Sequence, residues 1–81
     1  MERRADIRSG EAIGRVIADI RRARGLTQSG LAERSGVTRT YLSHIETGRT
    51  SRLLEVLLRT LRTLDARVYI VFDDEVTNHP S

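Results

Sequence analysis

The side chains able to do proton chemistry are few in this chain and poorly placed for it. His44 and Glu46 stand two residues apart in a segment of helical spacing, so they face different directions. His79 lies close to the chain's end. No cysteine occurs among the 81 residues, which removes disulfides and thiolate metal sites. No phosphate loop, metal-ligand cluster or activated nucleophile is spelled out. The reading is no enzyme, no catalytic residue, no metal and no cofactor. Arginine is the chemistry that stands out. All 14 basic residues are arginine, against 11 acids. Residues 1–62 hold thirteen arginines and seven acids, for +6, while residues 63–81 set Arg67 against Asp65, Asp73, Asp74 and Glu75, for −3. A basic body with an acidic end points to a polyanionic partner for the body.

The elements that must position those arginines are legible from caps and periodicity. Ser9 caps a first helix, Ile13, Val16, Ile17, Ile20 and Ala23 recur along it, and Gly25 stops it. Gly14 costs about 1 kcal/mol in its interior and is compatible with close packing there. Thr27 opens a second short helix that ends at Gly36. Thr38 caps a third, running through Leu42 and Ile45 to Gly48, and Ser51 caps a fourth. The fourth helix carries more leucine than one core face requires. Leu54, Leu57, Leu58 and Leu61 are assigned to the core, and Leu53, Val56 and Leu64 to another surface. Beyond Asp65 the period becomes two: Val68, Ile70 and Phe72 alternate with Arg67, Tyr69 and Val71, as in a strand. No second strand is apparent, and a lone strand leaves its backbone groups unpaired. Pairing with the same strand of a second copy resolves this, through Val68, Tyr69, Ile70, Val71 and Phe72, with Leu53, Val56 and Leu64 on the outer face of the fourth helix completing the dimer interface. The alternative is an extended segment lying on the helices.

The most specific pattern is QSGLAERSGVTRTYLSHIET, residues 28–47. Two helices joined by so short a turn cross steeply. Ala32 must be small where the second helix passes over it, and Gly36 supplies the left-handed turn. Leu31, Val37, Leu42 and Ile45 make the apolar wedge. These types stand at the spacing of a DNA-binding helix-turn-helix. The longer segment RRARGLTQSGLAERSGVTRTYLSHIETGR resembles the Cro/repressor (XRE-type) helix-turn-helix family over residues 9–64. With the helix-then-strand ending LRTLDARVYIVF, the chain is most similar to the HipB-like antitoxins. That resemblance implies a small dimeric repressor whose terminal strands pair across the dimer and which neutralises a HipA-type kinase toxin.

The resemblance also implies site residues. The third helix would enter the major groove with Arg39, Thr40, Ser43 and His44 facing base edges. Arg39 suits guanine O6 and N7, a contact worth about 1–3 kcal/mol of discrimination; its plainer role is a phosphate contact. Thr27, Gln28, Ser29, Thr38, Tyr41 and Arg49 are candidates for phosphate, which positions the protein without reading sequence. In similar proteins the glutamate matching Glu46 pairs with the arginine matching Arg21, an ion pair that orients the helices. Gly30 departs from the family, where glutamate often completes a capping box with the residue matching Thr27.

The expected architecture is therefore all-α. It is a small four- to five-helix repressor-like bundle with one C-terminal β-strand pairing across a homodimer. Residues 1–8 read as a polar N-terminal arm, 9–64 as the DNA-binding domain, 65–73 as the dimerisation strand and 74–81 as a flexible tail. The expected partners are a double-stranded operator with an inverted repeat, a second copy, and a HipA-type kinase toxin. Half-sites would lie one or two helical turns apart, about 34 Å each. Two alternatives stay open: a stand-alone XRE-type regulator without a toxin, and a protein-binding adaptor that kept the fold. No apolar run approaches the ~20 residues of a membrane span, and no signal peptide opens the chain. A cytoplasmic protein without membrane contact is expected.

Overall fold

Six elements follow one another: β1 (Glu2–Ile7), α1 (Gly10–Ala23), α2 (Gln28–Ser35), α3 (Arg39–Glu46), α4 (Arg52–Thr63) and β2 (Val68–Asp73). The computed structural model describes residues 1–49 and 51–73; the tail expected at 74–81 lies outside them. Every helix opens on a hydroxyl. Ser9 Oγ accepts the Ala12 N–H at 3.2 Å, Thr27 Oγ1 that of Gly30 at 2.9 Å, Thr38 Oγ1 that of Tyr41 at 3.0 Å, and Ser51 Oγ that of Leu54 at 3.1 Å. Each satisfies one of the donors that a helix start leaves unpaired, for about 1 kcal/mol. At Thr27 only half of a capping box forms, because Gly30 has no side chain to reach back. The start of α1 gains a second partner from far along the chain, as Glu55 Oε2 accepts the Gly10 N–H at 3.1 Å.

The core is small. Ile7, Ala18, Ala32, Leu42 and Leu58 are its buried apolar side chains among the described residues. Backbone proximity compensates for this thinness where α1 crosses α3. A Cβ built on Gly14 would lie 1.9 Å from the Ile45 carbonyl oxygen and 3.0 Å from its carbon. Only a residue without a side chain lets the two helices meet there.

The N-terminal residues correct the sequence reading. Residues 1–8 are not a polar arm, because Glu2–Ile7 forms a strand antiparallel to β2. Opposed pairs run from Glu2 with Asp73, through Arg4 with Val71 and Ala5 with Ile70, to Ile7 with Val68. The fold is thus four helices with a two-stranded sheet, and the strand of residues 68–73 finds a partner within its own chain. The strand was hidden because one face needs only Ala5 and Ile7 as apolar residues, opposite Ile70 and Val68. Its other contacts are polar. The Met1 ammonium meets Asp73 Oδ1 at 3.0 Å, and the Arg4 guanidinium lies 5.2 Å from the Tyr69 ring centroid, a cation–π distance.

On α4 two residues change places relative to expectation. Leu58 is buried and Leu54, Val56 and Leu61 are half-buried, while Leu57 is exposed at 51% with Leu53 at 68% and Leu64 at 70%. Val56 is therefore partly covered and Leu57 open to solvent. Positions 54, 58 and 61 form one helical stripe, and 53, 57 and 64 another. Tyr69 and Val71, on the outer face of the ribbon, are also exposed. Among the described residues no helix is long and apolar enough to cross a membrane.

Candidate nucleic-acid interface

The turn between α2 and α3 is built as its sequence demands. Gly36 adopts φ 76° and ψ 25°, the left-handed region where a Cβ is penalised. Its N–H reaches the Glu33 carbonyl at 3.3 Å and that of Val37 reaches Ala32 at 3.0 Å, closing the helix end. Ala32 of α2 and Leu42 of α3 are both buried.

Packing Leu42 and Ile45 inward turns the opposite arc of α3 to solvent. Arg39, Thr40, Tyr41 and His44 are all exposed there, and Ser43 is half-buried at the arc's edge. Arg39 makes no ion pair with any described residue. Thr27, Ser29 and Thr38 are exposed at the positive ends of α2 and α3. The oxygens of Thr27 and Thr38 already accept capping bonds, so each hydroxyl proton is what remains for an acceptor. At the far end of α3, Arg49 Nη1 lies 3.3 Å from His44 Nε2, which joins a phosphate candidate to a base-reading one. The structure thus exposes Arg39, Thr40, Tyr41, His44 and Arg49 to solvent and joins His44 to Arg49, and it sets Gln28 apart from them.

Gln28 belongs to a network behind that face. Arg21 donates twice to Glu46, from Nε to Oε2 at 2.7 Å and from Nη2 to Oε1 at 3.1 Å. It donates again to the Leu26 carbonyl at 2.8 Å, and Gln28 Nε2 donates to Glu46 Oε1 at 2.9 Å. The side chains of Arg21 and Glu46 are only 11% and 4% exposed. Bidentate geometry of this kind holds both groups in one orientation, here tying the end of α1 and the start of α2 to the end of α3. The Arg21 hydrogen bonds hold the Glu46 carboxyl below the usual carboxylate range, with help from Gln28 and against the opposing effect of burial. The same bonds raise the Arg21 guanidinium further above its ordinary value.

Sequence reasoning missed Gln28's place in this network and the Leu26 carbonyl as the third acceptor for Arg21. The sole signal was a helix start standing next to an arginine-bearing helix end, which is too weak to pair specific atoms. One consequence concerns charge. Glu46 is the acid of α3, and it is turned inward and neutralised, so the exposed arc carries no carboxylate of its own.

A family model described as a helix-turn-helix domain matches residues 12–68, from the first turns of α1 to the first residue of β2. No curated protein and no solved structure matches the chain. With that match covering most of the sequence, and with the turn, crossing and exposed third helix in place, the chain belongs to the helix-turn-helix domain family.

Proposed function

We propose that the protein is a sequence-specific transcriptional repressor that binds an inverted-repeat operator as a homodimer. The observation that carries this reading is the exposure of Arg39, Thr40 and His44 on α3 with the helix's one acid withdrawn; in this reading Arg39, Thr40, Ser43 and His44 meet base edges. Tyr41, Arg49, Ser29, Thr27 and Thr38 are the proposed phosphate contacts around it, and Gln28 supports them from behind by holding Glu46. Two copies join through the open edge of β2, by Val68, Tyr69, Ile70, Val71 and Phe72, and through the exposed Leu53, Leu57 and Leu64. The finer role, an antitoxin paired with a HipA-type kinase toxin, rests on the resemblance of the sequence to the HipB-like antitoxins. It is tested by co-purification with the product of the neighbouring gene.

The primary experiment is a salt-titrated binding assay on the protein's own upstream DNA with random DNA alongside. A preference for the upstream DNA and a steep salt dependence support the reading. Equal, weak binding to both rejects it in favour of a protein-binding adaptor. Arg39→Ala is expected to lose about ten- to hundredfold discrimination at one operator base pair, seen by comparing single-base operator variants. Arg49→Ala is expected to weaken all DNA alike and reduce the salt slope by about 1. The dimer has its own test: Leu53→Glu with Leu57→Glu is expected to give monomers in sedimentation with unchanged helicity. A persistent dimer removes that stripe from the interface.

A further inference from the structure

A groove of about 450 Å³ opens between α1, α3 and the start of α4, within the ~300–1,000 Å³ range of small-molecule sites. Its walls are Ile13 and Ile17 of α1, Ile45 of α3 and Leu54 of α4, and Tyr41 and Arg49 stand among its lining residues. The stripe Leu53, Leu57 and Leu64 is not part of it. Among the described residues, two polar groups there have no partner of the matching kind. The Tyr41 hydroxyl makes no hydrogen bond to a described residue. Arg49 has no carboxylate partner among them either, and its guanidinium meets the His44 imidazole nitrogen at 3.3 Å. The nearby acids are engaged elsewhere: Glu55 by the Gly10 N–H at 3.1 Å, and Glu11 by Arg15 at 3.6 Å.

We infer that this groove binds an apolar monocarboxylate, its chain against Ile13, Ile17, Ile45 and Leu54 and its carboxylate on Arg49 and Tyr41, in competition with DNA. Charge complementarity selects the head group. One guanidinium fork matches one planar carboxylate, and the four aliphatic side chains match an apolar chain, with His44 and Ser51 also in the lining. The competition rests on the reading of Arg49 and Tyr41 as phosphate contacts, because a carboxylate held there takes the groups that would hold the backbone. The ligand is then an inducer, releasing the operator without any rearrangement of the fold.

The test uses the full chain with sodium octanoate as the probe and octanamide, the same chain without the charge, as its control. Methyl resonances of Ile13, Ile17, Ile45 and Leu54 are expected to shift saturably, with Kd on the order of 1 mM. Octanamide and the Arg49→Gln variant are each expected to bind about tenfold more weakly, and each methylene added from hexanoate upward to tighten binding about threefold. Arg49 is exposed, so that variant keeps its fold. Shifts confined to Leu53, Leu57 and Leu64, or none, overturn the site whatever the DNA assay shows. Saturable binding that leaves the operator bound overturns the competition. Groove binding by a protein that holds no DNA upholds the site and rejects the repressor reading instead.

Discussion

Gly14→Ala is expected to cost the domain about 2 kcal/mol or more, seen as a large drop in the urea midpoint followed by circular dichroism. Alanine improves helix propensity by about 1 kcal/mol, so an isolated α1 would gain. In the folded chain the new methyl lands 1.9 Å from the Ile45 carbonyl oxygen and 3.4 Å from the Glu46 Cα. These are backbone atoms, so no rotamer change relieves the overlap, and α1 must back away from α3. Overpacking normally costs about 1–3 kcal/mol, and a domain of this size holds only about 3–5 kcal/mol in all. Gly36→Ala is the matched comparison. It meets no atom within 4 Å but keeps a φ of 76°, so about 1 kcal/mol is expected. A Gly14→Ala protein as stable as its parent would show that α1 and α3 do not approach so closely.

Removing Glu46 is expected to have the other large effect, on stability and on DNA together. Glu46→Ala leaves the Arg21 guanidinium with one carbonyl acceptor and takes the partner from the Gln28 amide. Truncating one member of a desolvated pair strands the other, and a fall in Tm of about 10 °C or more is expected. Glu46→Gln keeps the shape and is expected to lose less. The pH dependence separates the charge from the shape. Because Glu46 titrates below its unfolded value in the folded chain, its contribution is full above about pH 5, the upper end of unfolded glutamate titration. It is lost as pH falls through the folded value. The stability gap between the parent and Glu46→Gln is therefore expected to close on acidification from pH 6 toward pH 2. A gap that stays constant over that range would mean that the carboxylate charge does not stabilise the fold. For DNA, both variants are expected to loosen the orientation of α3 and so reduce operator preference more than binding to random DNA.

The contrast between these residues shows what kinds of information the chain carries locally. Ser9, Thr27, Thr38 and Ser51 announce helix starts because a cap is a bond between a side chain and a backbone only three residues away. Gly36 announces the turn because a left-handed φ is a property of one residue. Ala32, Gly36, Leu42 and Ile45 announce the crossing because two helices and a short turn leave that spacing little freedom. Helix positions, the helix-turn-helix and its exposed face were all legible for this reason.

Other features depended on atoms brought together from distant positions. Residues 2–7 carry too few apolar side chains to read as a strand, and they become one only because β2 presents an edge to them across the whole length of the chain. Leu57 is exposed because the packing of α4 covers the stripe of Leu54, Leu58 and Leu61 and leaves that of Leu53, Leu57 and Leu64 open, although the two are of nearly equal hydrophobicity. Gln28 enters the Arg21–Glu46 pair, and Gly14 meets Ile45, through approaches between separate helices. The sequence by itself determined the local bonds, and with them the helices and the turn. The tertiary structure alone decided the partner of the last strand, the outward stripe of α4 and the groove beside α3, because each is set by the relative placement of elements that no short-range spacing encodes.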